Sequence, residues 1–387
     1  MTDPTFLGYP RASGAVGIRN YLLVLSIAGL TGPAGRRVVR ALPGARWVTM
    51  PYGNGLLGED HAVHMRSLIG FGCNPNVGAV LLIGSDSPKI AAIERDIAAT
   101  GKLVAAVCLD DCGHDILTLT DRAIRAGAKL HREISRQRRQ PAALSKLFVG
   151  LECGRSDPSS GIAANPVIGR TCDRLIALGA TAVFGETMEW LGAEHLLARR
   201  GCTPQVADAL AQAVSRREAF AAQNHIDVLS DNPGPTNIAA GLSTIEEKSL
   251  GAIAKSGSAP IAGVLQIGQK PAASGLYAMD GPAYSPESIS GFVAAGAQIV
   301  LFSTGVGNSY VSTLAPTIKL SANPAATGSL HEQLDYDASA VFLGKQSLDG
   351  AARELLAVIA DIASGMLTWG EVLDEGDEVV SRMGAAL

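Results

Sequence analysis

Apolar residues along this chain come in short unbroken runs rather than in alternation. Residues 21–28 (YLLVLSIA), 47–50 (WVTM), 77–83 (VGAVLLI) and 103–107 each read as a strand buried on both faces. Between them, residues 36–42, 60–71, 88–99 and about 115–126 carry helical spacing. Unbroken apolar strands separated by helices predict a parallel sheet covered on both sides. The pattern resumes further on, with strands at 147–149, 181–184, 263–267, 276–279 and 298–302 and a polar-tipped strand within 315–324. Helices are expected up to Leu178 and over 188–200, 204–222 and 286–295. Between the two series, residues 132–145 (REISRQRRQPAALS) turn charged and polar and include Pro141. The expected fold is therefore α/β with two domains: an N-terminal, Rossmann-like parallel-sheet domain over residues 1–140 and a larger C-terminal α/β catalytic domain over 141–387. The basic cluster Arg136 to Gln140 reads as a solvated helix end or linker.

Composition narrows the function. With 47% apolar and 18% charged residues, the 387-residue chain has material for a large core and little for a disordered tail. A formal charge of -4 offers no basic footprint for nucleic acid. No apolar run approaches the ~20 residues that span a bilayer, so no membrane role is expected. The N-terminus lacks a basic-then-apolar signal, and six scattered cysteines make no disulfide framework. A cytoplasmic homo-oligomer is expected. The glycines at 29, 32 and 35 have GxxGxxG spacing with no acidic residue after the second strand, which argues for a tight turn rather than a dinucleotide site. His61 with His64, and Cys108 with Cys112 and His114, resemble metal spacing only loosely, and a structural zinc needs four ligands.

The chemistry concentrates in Gly150 to Gly169, GLECGRSDPSSGIAANPVIG. An apolar strand runs into Glu152, Cys153, Gly154, Arg155, Ser156 and Asp157, and a helix opens at Pro158. A strand ending in glycine, charge and hydroxyl just before a helix is how α/β proteins build anion sites. Other strands close on Glu186, Asp280 and Thr304. Because parallel sheets bind ligands at the carboxyl ends of strands, these could converge on one site. Two or three carboxylates there would suit a divalent metal or acid–base work. Residues 231–257 read as a long polar loop carrying Lys248 and Lys255 among hydroxyls, and Lys319 with Asn323 lies further on.

Five motifs in order, GYPRASGAVGIRNYLLVL, NPNVGAVLLIG, GLECGRSDPSSGIAANPVIG, ETMEWLGAEHLLARRG and GLSTIEEKSLGAIAKSG, resemble the altronate/galactarate dehydratase family, which includes the large subunit of sulfolactate sulfo-lyase. The resemblance runs from Gly8 to about Gly344. It implies a lyase acting on a small hydroxy acid, eliminating water to give a 2-keto acid, or sulfite from a sulfonated acid. It also implies a divalent metal, typically Fe2+ with Mn2+ or Mg2+ as alternatives, and a separate small subunit of the N-terminal type. The chain departs from the family pattern. Cysteine-bearing turns become Gly55-Leu56-Leu57-Gly58 and Gly84-Ser85-Asp86-Ser87; NPSPGNK becomes residues 232–238 without its lysine; a TGRG-type turn becomes Thr304-Gly305-Val306-Gly307; and Arg155 is added. Arg155 would favour an oxyanion such as a sulfonate, and the missing thiols would favour a non-catalytic sugar-acid-binding relative.

For the elimination, Glu186 or His195 is the expected base and Lys248 the cation at the enediolate. Those two base candidates share a site only if Gly192 breaks the helix between them. Cys153 is either a ligand or a small buried residue. Arg155, Ser156, Asp157, Asn165, Thr304 and Lys319 are expected to position substrate, and Glu152, Glu186 and Asp280 to hold the metal.

Overall fold

The computed structural model describes residues 4–52, 55–228 and 232–384; Asp231, the first residue of the polar 231–257 stretch, lies outside them. The chain opens with strand β1 (Thr5–Pro10), paired antiparallel with β2 (Val16–Gly17) and with β7 (Gln140–Ala143). Four strands follow β2: β3 (Tyr21–Ser26), β4 (Arg46–Thr49), β5 (Val77–Gly84) and β6 (Leu103–Cys108). They form an all-parallel sheet in the order β4-β3-β5-β6. Helices α1 (Gly32–Ala41), α2 (Gly58–Cys73), α3 (Ser87–Ala98) and α4 (Ile116–Ile134) cover it. Every residue of β5 is buried, as a two-faced strand requires.

The polar segment 132–145 is not a bare linker. It comprises the end of α4 and then β7, which returns across more than a hundred residues to pair with β1. Arg139, expected on a solvated surface, donates to the carbonyls of Leu7 (2.6 Å), Ala363 (3.0 Å) and Ile18 (2.9 Å) and lies over the Tyr9 ring. An Arg139→Ala variant is expected to lose about 2 kcal/mol, because three carbonyls lose a charged donor. Urea denaturation of the two proteins measures it.

The second sheet has seven parallel strands in the order β10-β11-β9-β8-β12-β14-β15. These are β8 (Phe148–Cys153), β9 (Thr181–Phe184), β10 (Ile261–Gln266), β11 (Gly275–Asp280), β12 (Ile299–Ser303), β14 (Thr317–Ser321) and β15 (Tyr336–Asp337). A small parallel pair, β13 (Val311–Ser312) and β16 (Gly376–Asp377), sits apart. From β8 the chain builds outward through β9 and then returns to β12 on the other side. The order reverses between β8 and β12, and the carboxyl ends of those strands border the crevice where α/β sheets bind ligands.

The helix Ser285–Ala295 has ten of its eleven residues buried, with Glu287 half-buried. Its Phe292 packs on Gly150 of β8, and its Ala294 carbonyl would lie 2.2 Å from a Cβ at Gly70 of α2. A helix enclosed on every side can be apolar or small all round, which explains why its amphipathic signal is weak. Two expectations for helices change. The segment 188–200 is broken at Gly192 (φ 83°) into a turn at Thr187–Trp190 and α6 (Glu194–Ala198), followed by α7 (Pro204–Gln223). The 231–257 stretch, read as a long loop, forms helices Pro235–Ala239 and Ile245–Ile253. Thr244 and Glu247 make a capping box there, a start signal that polarity and glycine masked.

Candidate active site

At the carboxyl ends of β8 and β9 the chain concentrates six ionisable side chains in a largely buried cluster. β8 delivers Glu152 and Cys153. The backbone after β9 turns left-handed at Glu186 (φ 66°), and the tight turn that follows presents Glu189 three residues on, on the same side. Lys248 comes from the helix Ile245–Ile253 and Lys255 from the turn Ala254–Ser256. The Cys153 thiol lies 3.4 Å from Glu189 and 3.9 Å from both oxygens of Glu186. Lys255 Nζ donates to Cys153 Sγ at 3.2 Å and to Glu186 Oε2. Lys248 Nζ meets Glu189 Oε1 at 2.8 Å. Behind them, Ser288 Oγ donates to Glu152 at 2.7 Å, while the other Glu152 oxygen has no donor.

Burial dominates the electrostatics. It pushes Glu152 well above the usual carboxylate range, with the Glu186 charge adding to it. Glu186 is pushed up to about 7, by burial first and Glu189 second. Burial also acts on Glu189, but Lys248 and Lys255 outweigh it and hold that carboxyl below its ordinary value. The Cys153 thiol is pushed well up by burial and by Glu186. For Lys255, burial opposes the charge, and Cys153 with the surrounding carboxylates overcomes it. The cluster is thus a neutral acid and a thiol beside two ammonium–carboxylate pairs.

A recess of about 720 Å³ opens onto this cluster, with Cys153, Arg155, Glu189, Lys248, Tyr284 and Tyr310 in its walls. Glu186 and Lys255, with 0% and 1% of their side chains exposed, sit one layer behind. The supporting helix Ser285–Ala295 is held by Glu378, which accepts from Ser290 (2.8 Å) and Ser312. Burial raises the Glu378 carboxyl from 4.5 to about 7 against its hydroxyl and backbone donors. A raised folded value means the folded state holds the extra proton between those pH values. The associated stability is complete below about 4.5 and is lost as pH rises through about 7. Wild-type denaturation midpoints are expected to fall over that window, and those of Glu378→Gln to fall less.

The structure gathers only part of the expected set. Glu152, Cys153, Glu186 and Lys248 meet as described. Asp280 does not join them, because α7 engages it: Arg216 at 2.8 Å and Arg217 at 3.2 Å, with Thr187 at 3.0 Å. The trio Glu152, Glu186 and Asp280 is therefore not assembled. Among the described residues, the group close enough to hold one ion is Cys153, Glu186 and Glu189, whose donor atoms lie within 4.8 Å of one another. His195 is exposed on α6; Gly192 breaks the helix as required, yet the imidazole stays outside the cluster.

Arg155 is exposed at the recess wall with a left-handed backbone (φ 53°). The Asp157 carboxylate accepts from Ser159 (2.6 Å), the Ser160 amide (3.0 Å) and Asn323 (2.8 Å), so it shapes the loop. Ser156 is buried and its carbonyl accepts from Asn237 at 2.9 Å. Asn165 links the Gly251 carbonyl (2.9 Å) to Ser303. Thr304 accepts from the Gly307 amide at 3.0 Å, and buried Lys319 reaches Glu375 at 3.2 Å. Two members of the cluster escaped sequence reasoning. Glu189 is signalled only by its i, i+3 spacing from Glu186. Lys255 was visible beside Lys248 but not distinguishable from it.

A parallel α/β framework that places buried carboxylates, a thiol and two ammonium groups at the carboxyl ends of its strands defines a candidate active site. The family comparison agrees: residues 144–386 match the C-terminal region of D-galactarate/altronate dehydratases, and residues 8–137 the second domain of D-galactarate dehydratase/altronate hydrolase. The chain belongs to this family. It is 36% identical over 382 residues to the (2R)-sulfolactate sulfo-lyase subunit beta of Chromohalobacter salexigens, covering 98% of this chain and 97% of that one. It is 32% identical to the altronate dehydratase of Escherichia coli (98% and 78% covered) and 30% to the galactarate dehydratase (L-threo-forming) of the same organism (93% and 73%).

Proposed function

We propose that the protein is a lyase that eliminates water from a sugar acid or related hydroxy acid to give a 2-keto acid. The observation that carries this reading is the Glu189–Lys248 pair at the recess wall, backed by Cys153, Glu186 and Lys255. Arg155, at the mouth, meets the substrate carboxylate. Glu189 takes the proton from the carbon next to it, and the bonding pair becomes the new C=C bond. The hydroxyl on the following carbon leaves with the Lys248 proton as water, and the enol tautomerises to the keto acid. The proton on Glu189 returns to Lys248 across their 2.8 Å contact, which resets the pair. Glu186, at about 7 and reached through the thiol, is a proton store behind them.

The expected divalent metal is a separate matter. Cys153, Glu186 and Glu189 could hold an ion. In this arrangement, however, Lys255 already bonds two of those donors, and a dication beside two ammonium groups would leave excess buried positive charge. The donor set is built around an ammonium. As part of the same proposal, the two parallel sheets are two domains divided near residue 140. The relative named as a beta subunit supports a separate small partner subunit.

Elimination assays on a panel of hydroxy acids, including a sulfonated one, test the reading, with elemental analysis of anaerobically purified protein. Formation of a 2-keto acid and water supports it. Release of sulfite would assign the C–S reaction instead, and no turnover with a small partner supplied would leave a sugar-acid-binding protein. Stoichiometric iron or manganese would overturn the ammonium-only cluster.

A further inference from the structure

A second recess, of about 800 Å³, lies at the opposite ends of the strands. Its walls include Gly78 and Leu103 near the starts of β5 and β6, and Phe148 and Thr181 at the starts of β8 and β9. Phe148 and Cys153, the first and last residues of β8, therefore belong to different recesses, roughly 17 Å apart along the strand. Residues from both parallel sheets and the end of the helix Ser285–Ala295 enclose it.

Its charge is one-sided. Arg11, Arg66, Lys102, Lys146 and Lys270 line it, and none of the described lining residues is Asp or Glu. None of the five makes an ion pair among the described residues. Arg11 is fixed by neutral acceptors: the carbonyls of Pro75 (2.7 Å) and Arg19 (2.9 Å) and the side chains of Asn20 (2.9 Å) and Gln137 (2.7 Å). Lys102 donates to the carbonyls of Asn74 (2.6 Å) and Val77 (2.7 Å), and Arg66 Nε to that of Ile267 (2.7 Å). Carbonyl dipoles hold these cations in place without neutralising them. Burial, with Arg11 adding repulsion, lowers Lys102 to about 7, so an anion in the recess would strengthen its protonation. Lys146 and Lys270 are exposed at the rim.

We propose that this recess is a binding site for a small polyanion, a metabolite carrying phosphate or carboxylate groups, distinct from the candidate active site. Its volume is that of a small-molecule pocket, and fixed cations in a low-dielectric wall concentrate anions. A bound anion would touch both sheets and the buried helix whose other end carries Ser285 and Ser288 against β8. The inference does not depend on the reaction proposed above.

The test is isothermal titration of the full chain at low salt with pyrophosphate and, separately, citrate, which distinguishes phosphate from carboxylate ligands. One probe is expected to bind once per chain and to raise the thermal midpoint. The variant Lys146→Ala/Lys270→Ala, altered only at exposed positions, is expected to weaken binding at least tenfold with its own midpoint unchanged. Lys248→Met is expected to bind as wild type. Absence of binding by either probe overturns the proposal. So does equal binding by the double variant, or binding that Lys248→Met abolishes, which would place the anion in the other recess.

Discussion

Replacing Lys255 by Met is expected to reduce turnover by about 10²- to 10³-fold on whichever hydroxy acid the assays identify, and to destabilise the fold by about 3 kcal/mol. Lys255 is the cation that touches both the Cys153 thiol and Glu186. It does not face the recess, so it acts by positioning and charge. Without it, Glu186 becomes a buried carboxyl with no partner of opposite charge, while Glu189 keeps Lys248. Stopped assays and urea denaturation measure the two losses. If they fall on kcat with KM unchanged, the role is in the reaction rather than in substrate capture. A variant with wild-type turnover would remove Lys255 from the mechanism and reopen the three donors around it to a metal.

The second large effect comes from a residue without a side chain. A Cβ at Gly169 would lie 2.1 Å from the Ala254 carbonyl oxygen and 2.8 Å from the Gly257 amide nitrogen. Both neighbours are backbone of the turn that presents Lys255, and Gly169 belongs to α5 (Asn165–Ala177). Gly169→Ala must therefore push helix and turn apart. About 3 kcal/mol of stability is expected to go, and activity with it, because an ångström of displacement at the ammonium is enough to spoil alignment. Retained activity in a folded Gly169→Ala protein would show that the turn can yield without moving Lys255.

Both effects depend on features that differ in legibility. The β8 run and its abrupt ending in Glu152 and Cys153 were readable, because a short unbroken apolar stretch that stops at glycine and charge fits a buried strand whose last residues reach the sheet's end. Glu186 was readable for the same reason after β9. Asp280 closes a strand just as conspicuously, yet its partners Arg216 and Arg217 lie on α7 more than sixty residues earlier, and nothing local announces them. Glu189 follows Glu186 through a tight turn that has neither strand nor helix periodicity. Lys248 and Lys255 differ in depth only because Lys255 follows the end of the helix that carries Lys248, an orientation set by packing on α5. The β1–β7 pairing escaped because Pro141 in the edge strand β7 and Pro10 at the end of β1 leave short strands with no signature of their own.

The left-handed backbone at Glu186 and Arg155 has a consequence for engineering. At both positions a glycine would sit without the steric cost that a Cβ imposes there. Selection for heat resistance alone would thus be free to accept Arg155→Gly at the exposed recess wall, whereas Glu186→Gly would strand the buried Lys255 ammonium. An Arg155→Gly winner would keep the framework and lose the chemistry. Any thermostabilising campaign on this protein has to score turnover alongside melting, because so tempting a repair lies in the wall of the candidate active site.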